Sequence, residues 1–373
     1  MKTLKNIVTL LVIGSVLIFA GCEEEDSTKT ISKDEAVQTL NQNSQDLESD
    51  LQAMENTEGM QAIEVLASLT QESDPFASPT KSIGDEFLIG KIQQIMRPVE
   101  SQNLQKFGSQ PFNFGDHTGT YTWQSEGVWT EDPNPTDSII IEFPTDTTAD
   151  PLTNNAVFAL SNYEETAVTD SLDNTVYVPT KVEASLTIDG TKVVDLSWNL
   201  EITETDGETV LSSLDATVYV KPFTYTVSLT QNSLSASINR DNVETSLMSI
   251  NLNVTFMDNM EDVEKLKGNV QVHNLNFKGW VKPYAMENRE FSSTDMTTAD
   301  ILDYYNEQID LALFKYDTGN KIADVKFVET DTQTSEPPME LVFVFKDDST
   351  EPVKGYFENI YQYLQQLLGQ GNM

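Results

Sequence analysis

Residues 182–202 read VEASLTIDGTKVVDLSWNLEI, and this stretch decides the fold. Val182, Ala184, Leu186 and Ile188 alternate with Glu183, Ser185 and Thr187, the period of two expected of a strand with one apolar face. Asp189-Gly190 follows, a dipeptide that tolerates the two positive φ angles of a tight hairpin turn. The return run puts Val194, Leu196, Trp198, Leu200 and Ile202 on one side. One apolar face and one polar face describe an antiparallel sheet with a side in water.

The same alternation extends in both directions. Downstream lie Leu214-Ala216-Val218-Val220, Phe223-Tyr225-Val227-Leu229, Leu234-Ala236-Ile238 and Met248-Ile250-Leu252-Val254-Phe256. Over 270–277 the parity slips between Val272 and Leu275, which predicts a bulge near His273-Asn274. Upstream the alternating period begins near Pro111. Tyr121 and Trp123 share a face, Val128 and Trp129 lie across a turn at Glu126-Gly127, and a strand over 139–143 follows the loop Asp132-Pro133-Asn134-Pro135.

Helical periods flank this meander. Ser32-Lys33-Asp34-Glu35 has the spacing of a capping box, and Val37, Leu40, Ser44, Leu47, Leu51 and Met54 follow as one stripe. Gly59 is expected to break that helix, after which Met60, Ile63, Leu66 and Leu69 form a second stripe. A third apolar segment spans 83–96 before Pro98, with Pro75 and Pro79 in the intervening loop. Near the other end, 299–313 predicts a helix containing Ile301, Leu302, Tyr305, Ile309 and Leu313. Strands over 322–328 and 341–345 and a closing helix over 355–368 complete the chain.

The expected class is therefore α+β: a large curved antiparallel meander, one face in solvent, with helices from both ends covering the apolar face. The expected divisions are a signal peptide at 1–21, an acidic tether at 22–31 and a helical segment at 32–107. The meander at 112–292 and a helix-hairpin-helix segment at 298–373 follow, forming one globular unit with the helical segment.

Charge narrows the function. The chain of 373 residues carries 60 Asp+Glu against 22 Lys+Arg, a formal net charge of −38. Nucleic acid and anionic lipid repel such a surface, because binding them needs clustered cations. One Cys and two His exclude a zinc finger or a disulfide framework. The 38% of hydrophobic residues nevertheless suffice for a core.

The N-terminal residues carry the sharpest signal. Lys2 and Lys5 precede an apolar run over 7–19, which is the length of a signal-peptide core and too short to span a bilayer. It ends in Phe19-Ala20-Gly21-Cys22, and Cys22 is the only cysteine. This resembles the lipobox of bacterial lipoproteins, with Phe19 standing where Leu, Val or Ile is usual; the resemblance implies lipidation at Cys22. Several acyl chains at about 0.8 kcal/mol per buried CH₂ make a firm anchor. Loss of 1–21 removes Lys2 and Lys5 and no acid, moving the charge to −40.

The new N-terminus, Cys22-Glu23-Glu24-Glu25-Asp26, resembles the surface-export signal of Bacteroidetes lipoproteins. Asp26-Ser27-Thr28, Asp137-Ser138-Ile139, Asp146-Thr147-Thr148, Asp170-Ser171-Leu172 and Asp348-Ser349-Thr350 resemble the O-glycosylation triplet of that phylum. Three further stretches resemble uncharacterised Bacteroidetes lipoproteins: Gly119-Thr120-Tyr121-Thr122-Trp123, residues 182–195, and 341–356 with its Val-Phe-Lys-Asp-Asp run. The resemblance implies a fold and a location, and no activity.

Catalytic constellations are sparse. A serine hydrolase needs a histidine and an orienting acid, yet only His117 and His273 exist and no Gly-x-Ser-x-Gly occurs. Phosphate-cradling glycine motifs are absent as well. Asp132, Asn134 and Asp137 come nearest to a calcium loop, interrupted by two prolines. Two aromatic groups suggest sugar stacking: Tyr121, Trp123 and Trp129, and Trp280 with Tyr284.

The expectation is a lipid-anchored outer-membrane lipoprotein, surface-exposed and non-enzymatic, in a binding or structural role. No cofactor or nucleic acid is expected, and the partner is a glycan or an envelope protein. Two alternatives remain: a carrier of apolar ligands in a space between sheet and helices, like the lipoprotein-localisation carriers, and a glycan-binding or glycan-hydrolysing surface lipoprotein.

Overall fold

The structure is a computed structural model, and it describes residues 29–72, 75, 111–124, 128–132, 136–169, 175–205, 208–257, 262–288, 297–329 and 339–356. The expected signal peptide, Cys22, the segment 83–96 and most of the closing helix 355–368 lie outside them. Sixteen strands and four α-helices are described: α1 (Lys33–Glu55), α2 (Glu58–Glu72), α3 (Pro283–Glu287) and α4 (Thr298–Glu307). No described helix is long and apolar enough to cross a membrane. The chain divides into two compact units.

The first unit, mainly 52–230, holds α2 and eight strands. These are β1 (Gly119–Trp123), β2 (Trp129–Asp132), β3 (Ile139–Phe143), β4 (Ala156–Thr169), β5 (Thr175–Ile188), β6 (Thr191–Thr205), β7 (Glu208–Val220) and β8 (Phe223–Thr230). Their hydrogen-bonded order is β8-β7-β6-β5-β4-β3-β1-β2. All neighbours are antiparallel except β1 and β3, which run parallel with Gly119 opposite Ile139 and Tyr121 opposite Ile141. That pairing departs from a simple meander, because the short β2 hairpin is laid on the outer edge.

The β5–β6 hairpin forms as its sequence dictates. Asp189 and Gly190 have φ of 49° and 75°, and Ile188 pairs Thr191 across them. Val182, Ala184, Leu186 and Ile188 are all buried, as are Val194 and Leu196. They join Tyr121, Ile139, Ile141, Phe143 and Leu160, with Ala62, Leu66 and Leu69 of α2 closing the cluster. Helix α2 starts after Thr57, whose hydroxyl accepts the Met60 N–H at 3.4 Å. The break thus falls before Gly59 rather than at it. Gly59 instead serves packing: a Cβ there would stand 2.7 Å from Val194 Cγ2 and 3.0 Å from the Val193 carbonyl.

The second unit holds α1 up to Leu51, α3, α4 and the other eight strands. They are β9 (Ser233–Arg240), β10 (Met248–Phe256), β11 (Val263–Val272), β12 (Leu275–Val281), β13 (Ile309–Lys315), β14 (Lys321–Glu329), β15 (Met339–Val344) and β16 (Thr350–Pro352). Their order is β16-β15-β14-β13-β12-β11-β10-β9, antiparallel throughout. One face buries Leu252, Val254, Leu266, Val270, Leu275, Phe277, Leu311, Leu313, Val325 and Phe343.

Three sequence expectations are corrected in this unit. The helix predicted over 299–313 ends at Glu307, because Ile309, Leu311 and Leu313 alternate and bury as a strand between β12 and β14. The bulge expected at His273-Asn274 is a two-residue hairpin turn: Val272 pairs Leu275, and His273 takes φ of 47°. The buried stripe of α1 is Ala36, Leu40, Asn43, Leu47, Asp50 and Met54, not the stripe through Val37, Ser44 and Leu51. The helix is turned toward two polar residues because each meets a polar partner on the β11–β12 turn.

Close backbone approach also demands glycine at two positions in this sheet. Gly268 and Gly279 lie opposite each other on β11 and β12. A Cβ at Gly268 would be 1.7 Å from the Asn251 carbonyl oxygen, and one at Gly279 would be 1.8 Å from that of Asp310. Neighbouring backbone therefore occupies the space of a side chain, which only glycine permits in a strand.

Candidate functional site

The first unit places its predicted aromatic group in the core. Tyr121 and Trp123 are 2% and 6% exposed, too buried to stack on a sugar. The Tyr121 hydroxyl donates to the His117 carbonyl at 2.9 Å, and Trp129 meets Trp123 edge-on at 5.0 Å. His117 stacks flat on Phe112, ring centroids 5.0 Å apart. Phe112 in turn meets the edge of Tyr163 at 5.2 Å, and its N–H donates to Glu165. The Tyr163 hydroxyl donates to the same carboxylate at 2.7 Å, so burial and that carboxylate push its pKa well up. His117 is thus part of a packed aromatic stack.

His273 sits in a polar seam between α1 and the β11–β12 turn. Its Nε2 lies 3.4 Å from Asp50 Oδ2 and is buried without a hydrogen bond. Burial lowers its pKa, and the charges of Asp50 and Asp46 oppose that shift without reversing it. Asn43 Oδ1 accepts the Asn274 N–H at 3.0 Å. Gln271 donates to the Ser246 and His273 carbonyls at 3.3 and 3.1 Å. The hydroxyls of Ser246 and Ser249 donate to Asn239 and Gln271 rather than to the imidazole. A histidine and a carboxylate are together here, but no described hydroxyl is bonded to the histidine as a nucleophile requires.

Two surface features of the second unit remain. An open groove of about 540 Å³ runs along α1, lined by Lys33, Gln38, Asn41, Gln42, Gln45 and Glu351 among others. Within it the Lys33 ammonium lies 3.0 Å from Glu351, which also accepts from Tyr356. The second feature surrounds Trp280, half-buried on the outward face of β12. The Lys265 and Lys282 ammonium groups stand 4.6 and 5.1 Å from its ring centroid. Tyr284, the other predicted aromatic, is half-buried in α3.

Asp132 and Asp137 are exposed, and Asn134 is outside the described residues. Among the described residues no group of three or more His, Cys, Asp or Glu is placed to hold a metal. Of the Asp-Ser/Thr triplets, Thr147 is exposed beside Asp146, whose carboxylate accepts from both the N–H and the hydroxyl of Thr148. Compared with family models, curated proteins and solved structures, the chain matches none.

Proposed function

We propose that this protein is a lipid-anchored cell-envelope lipoprotein, held in the outer membrane through Cys22 and facing the cell exterior, with a non-enzymatic binding role. The observation that carries the reading is the single cysteine at the end of a short apolar run with two lysines before it. An acidic stretch after Cys22 and the net charge of −38 fit a domain held off an anionic bilayer by its own charge. Support for a binding rather than catalytic role comes from the two histidines. One is stacked on Phe112 and the other faces Asp50, each in a structural setting.

In this reading the helices from both ends of the chain cover the apolar face of the sheet, and the polar face is the one that meets partners. α2 supplies buried residues to the first unit's cluster, and α4 hydrogen-bonds β14 through Asn306 and Phe327. The test is fractionation of cells expressing wild type and Cys22→Ser, with protease shaving of intact cells. Wild type should sediment with membranes and be shaved, and Cys22→Ser should be released. A Cys22→Ser protein that stays membrane-bound removes the anchor from the account.

A further inference from the structure

The outward face of β10–β12 departs from the rest of this acidic chain. Its positions on β11 are Lys265, Lys267, Asn269 and Gln271, and on β12 Asn276, Lys278 and Trp280, with Lys282 just beyond the strand end. Register sets Lys267 opposite Trp280 and Asn269 opposite Lys278. On β10 the same face carries Ser249, Asn251, Asn253 and Thr255. Three lysines thus fall on two adjacent strands and a fourth just past the end of one, with same-face residues about 7 Å apart along each strand and strands about 4.8 Å apart.

What distinguishes these lysines is that they are grouped on one face without carboxylate partners, whereas Lys221, Lys326 and Lys346, which also show none within 4.0 Å among the described residues, lie on separate strands and turns. Lys33, Lys181, Lys192, Lys315 and Lys321 each lie within 4.0 Å of a carboxylate. Among the described residues, none of Lys265, Lys267, Lys278 and Lys282 does, in a chain with 60 acids to 22 bases. Three of the four rest on aromatic rings instead: Lys265 and Lys282 on Trp280, and Lys278 on Phe314 at 5.2 Å. A ring holds an ammonium in place without neutralising it. Among the described residues, the acids set beside them by sequence or register are Asp262 just before β11, Glu264 exposed next to Lys265, and Asp310 opposite Trp280 on β13.

We infer that this face binds an acidic polysaccharide, a sugar chain carrying carboxylate or sulfate groups. The lysines take the anions, the Ser, Thr and Asn side chains of β10 and β11 take hydroxyls, and the half-buried Trp280 offers an apolar edge to a sugar ring. Lysines spread over two adjacent strands suit an extended chain better than a small anion, which is held in a concave site; Gln271 and Asn276, at the turn end, are buried and take no part. Nucleic acid, with a charge every 1.7 Å or so, and anionic bilayers present a denser negative charge to the remaining acids than a sugar chain with about one or two charges per disaccharide, and are repelled more strongly. The inference gives the proposed binding role a ligand class and rests on that role; it does not depend on the anchor.

The experiment is calorimetric titration of the full-length protein in non-ionic detergent with polygalacturonate and chondroitin sulfate. Neutral dextran and phosphatidylglycerol vesicles serve as comparisons. Binding to at least one acidic polymer, absent with dextran, is expected, and it should weaken at least tenfold between low and high salt. Lys265→Gln/Lys267→Gln/Lys278→Gln should raise the Kd at least tenfold. Trp280→Leu, which removes no charge, should raise it about threefold, and Lys181→Gln/Lys192→Gln should leave it unchanged. If the triple variant fails to fold by circular dichroism, Lys267→Gln alone, an exposed side chain, should still weaken binding twofold or more. Equal binding of dextran, binding of vesicles alone, or an unchanged Kd in the variants overturns the inference. A failed titration with Cys22-dependent membrane attachment intact sinks this ligand class alone. Loss of attachment with titration intact sinks the anchor alone.

Discussion

Gly268→Ala probes the close backbone approach within the sheet that carries the lysine face. The new Cβ would sit 1.7 Å from the Asn251 carbonyl oxygen, 2.7 Å from its carbon and 2.8 Å from Leu252 Cα. Ordinary contact begins at 3.4 Å, so β10 and β11 would have to part by roughly 1.5 Å or more at this pair, beyond hydrogen-bond reach. Losing about two ladder bonds at about 1 kcal/mol each, plus about 1–3 kcal/mol of overpacking, gives about 3–5 kcal/mol. Gly59→Ala supplies a milder contrast: its Cβ would meet the Val194 side chain at 2.7 Å and the Val193 carbonyl at 3.0 Å rather than backbone at 1.7 Å, so the overpacking cost should be about 1–3 kcal/mol. Gly115→Ala and Gly355→Ala, with nothing within 4 Å, should be near neutral. Hydrogen exchange resolved by peptide, together with urea unfolding, reads these costs. The β10 and β11 amides should lose protection in Gly268→Ala while β5 and β6 keep theirs. A destabilisation below about 1 kcal/mol, or protection lost equally in both units, refutes the reasoning.

Three further perturbations follow from the same structure. Asn43→Ala removes the acceptor of the Asn274 N–H inside a buried seam and should cost about 1–3 kcal/mol, read by urea unfolding. His273 has a folded pKa below its unfolded value, so the unfolded chain binds the extra proton. Its contribution is complete above the unfolded pKa near 6.5 and is lost as pH falls through that value toward the folded one. Wild type should therefore lose more stability than His273→Gln between pH 7.5 and 5, and an equal loss contradicts the burial argument. At α4, the Thr297 hydroxyl accepts the Asp300 N–H while Asp300 accepts from Thr297 in return, so Thr297→Ala should cost about 1 kcal/mol, visible as faster exchange in 298–301.

The clean hairpin at Asp189-Gly190 and the strands after it were legible because each keeps strict alternation with one face in water. β4 was not, since its pairing with β5 shifts register between Leu160 and Asn162 and again between Glu164 and Glu165, which scrambles a period of two. β13 was hidden for another reason: Ile301, Tyr305, Ile309 and Leu313 also satisfy a four-residue step, so only the partners on both sides choose the strand. The stripe of α1 misled because Asn43 and Asp50 look like surface residues until the turn beneath them is seen to need polar partners. At the candidate site, Trp280 stood out in the sequence. The lysines beside it did not, because only register makes them neighbours, and their lack of carboxylate partners is a property of space.

The account's central claim is the lipid on Cys22, and mass spectrometry of the N-terminal peptide from purified membranes tests it most directly. The predicted result is a peptide beginning at Cys22 and carrying acyl chains, with residues 1–21 absent. An N-terminus at any other residue, or an unmodified Cys22, contradicts it.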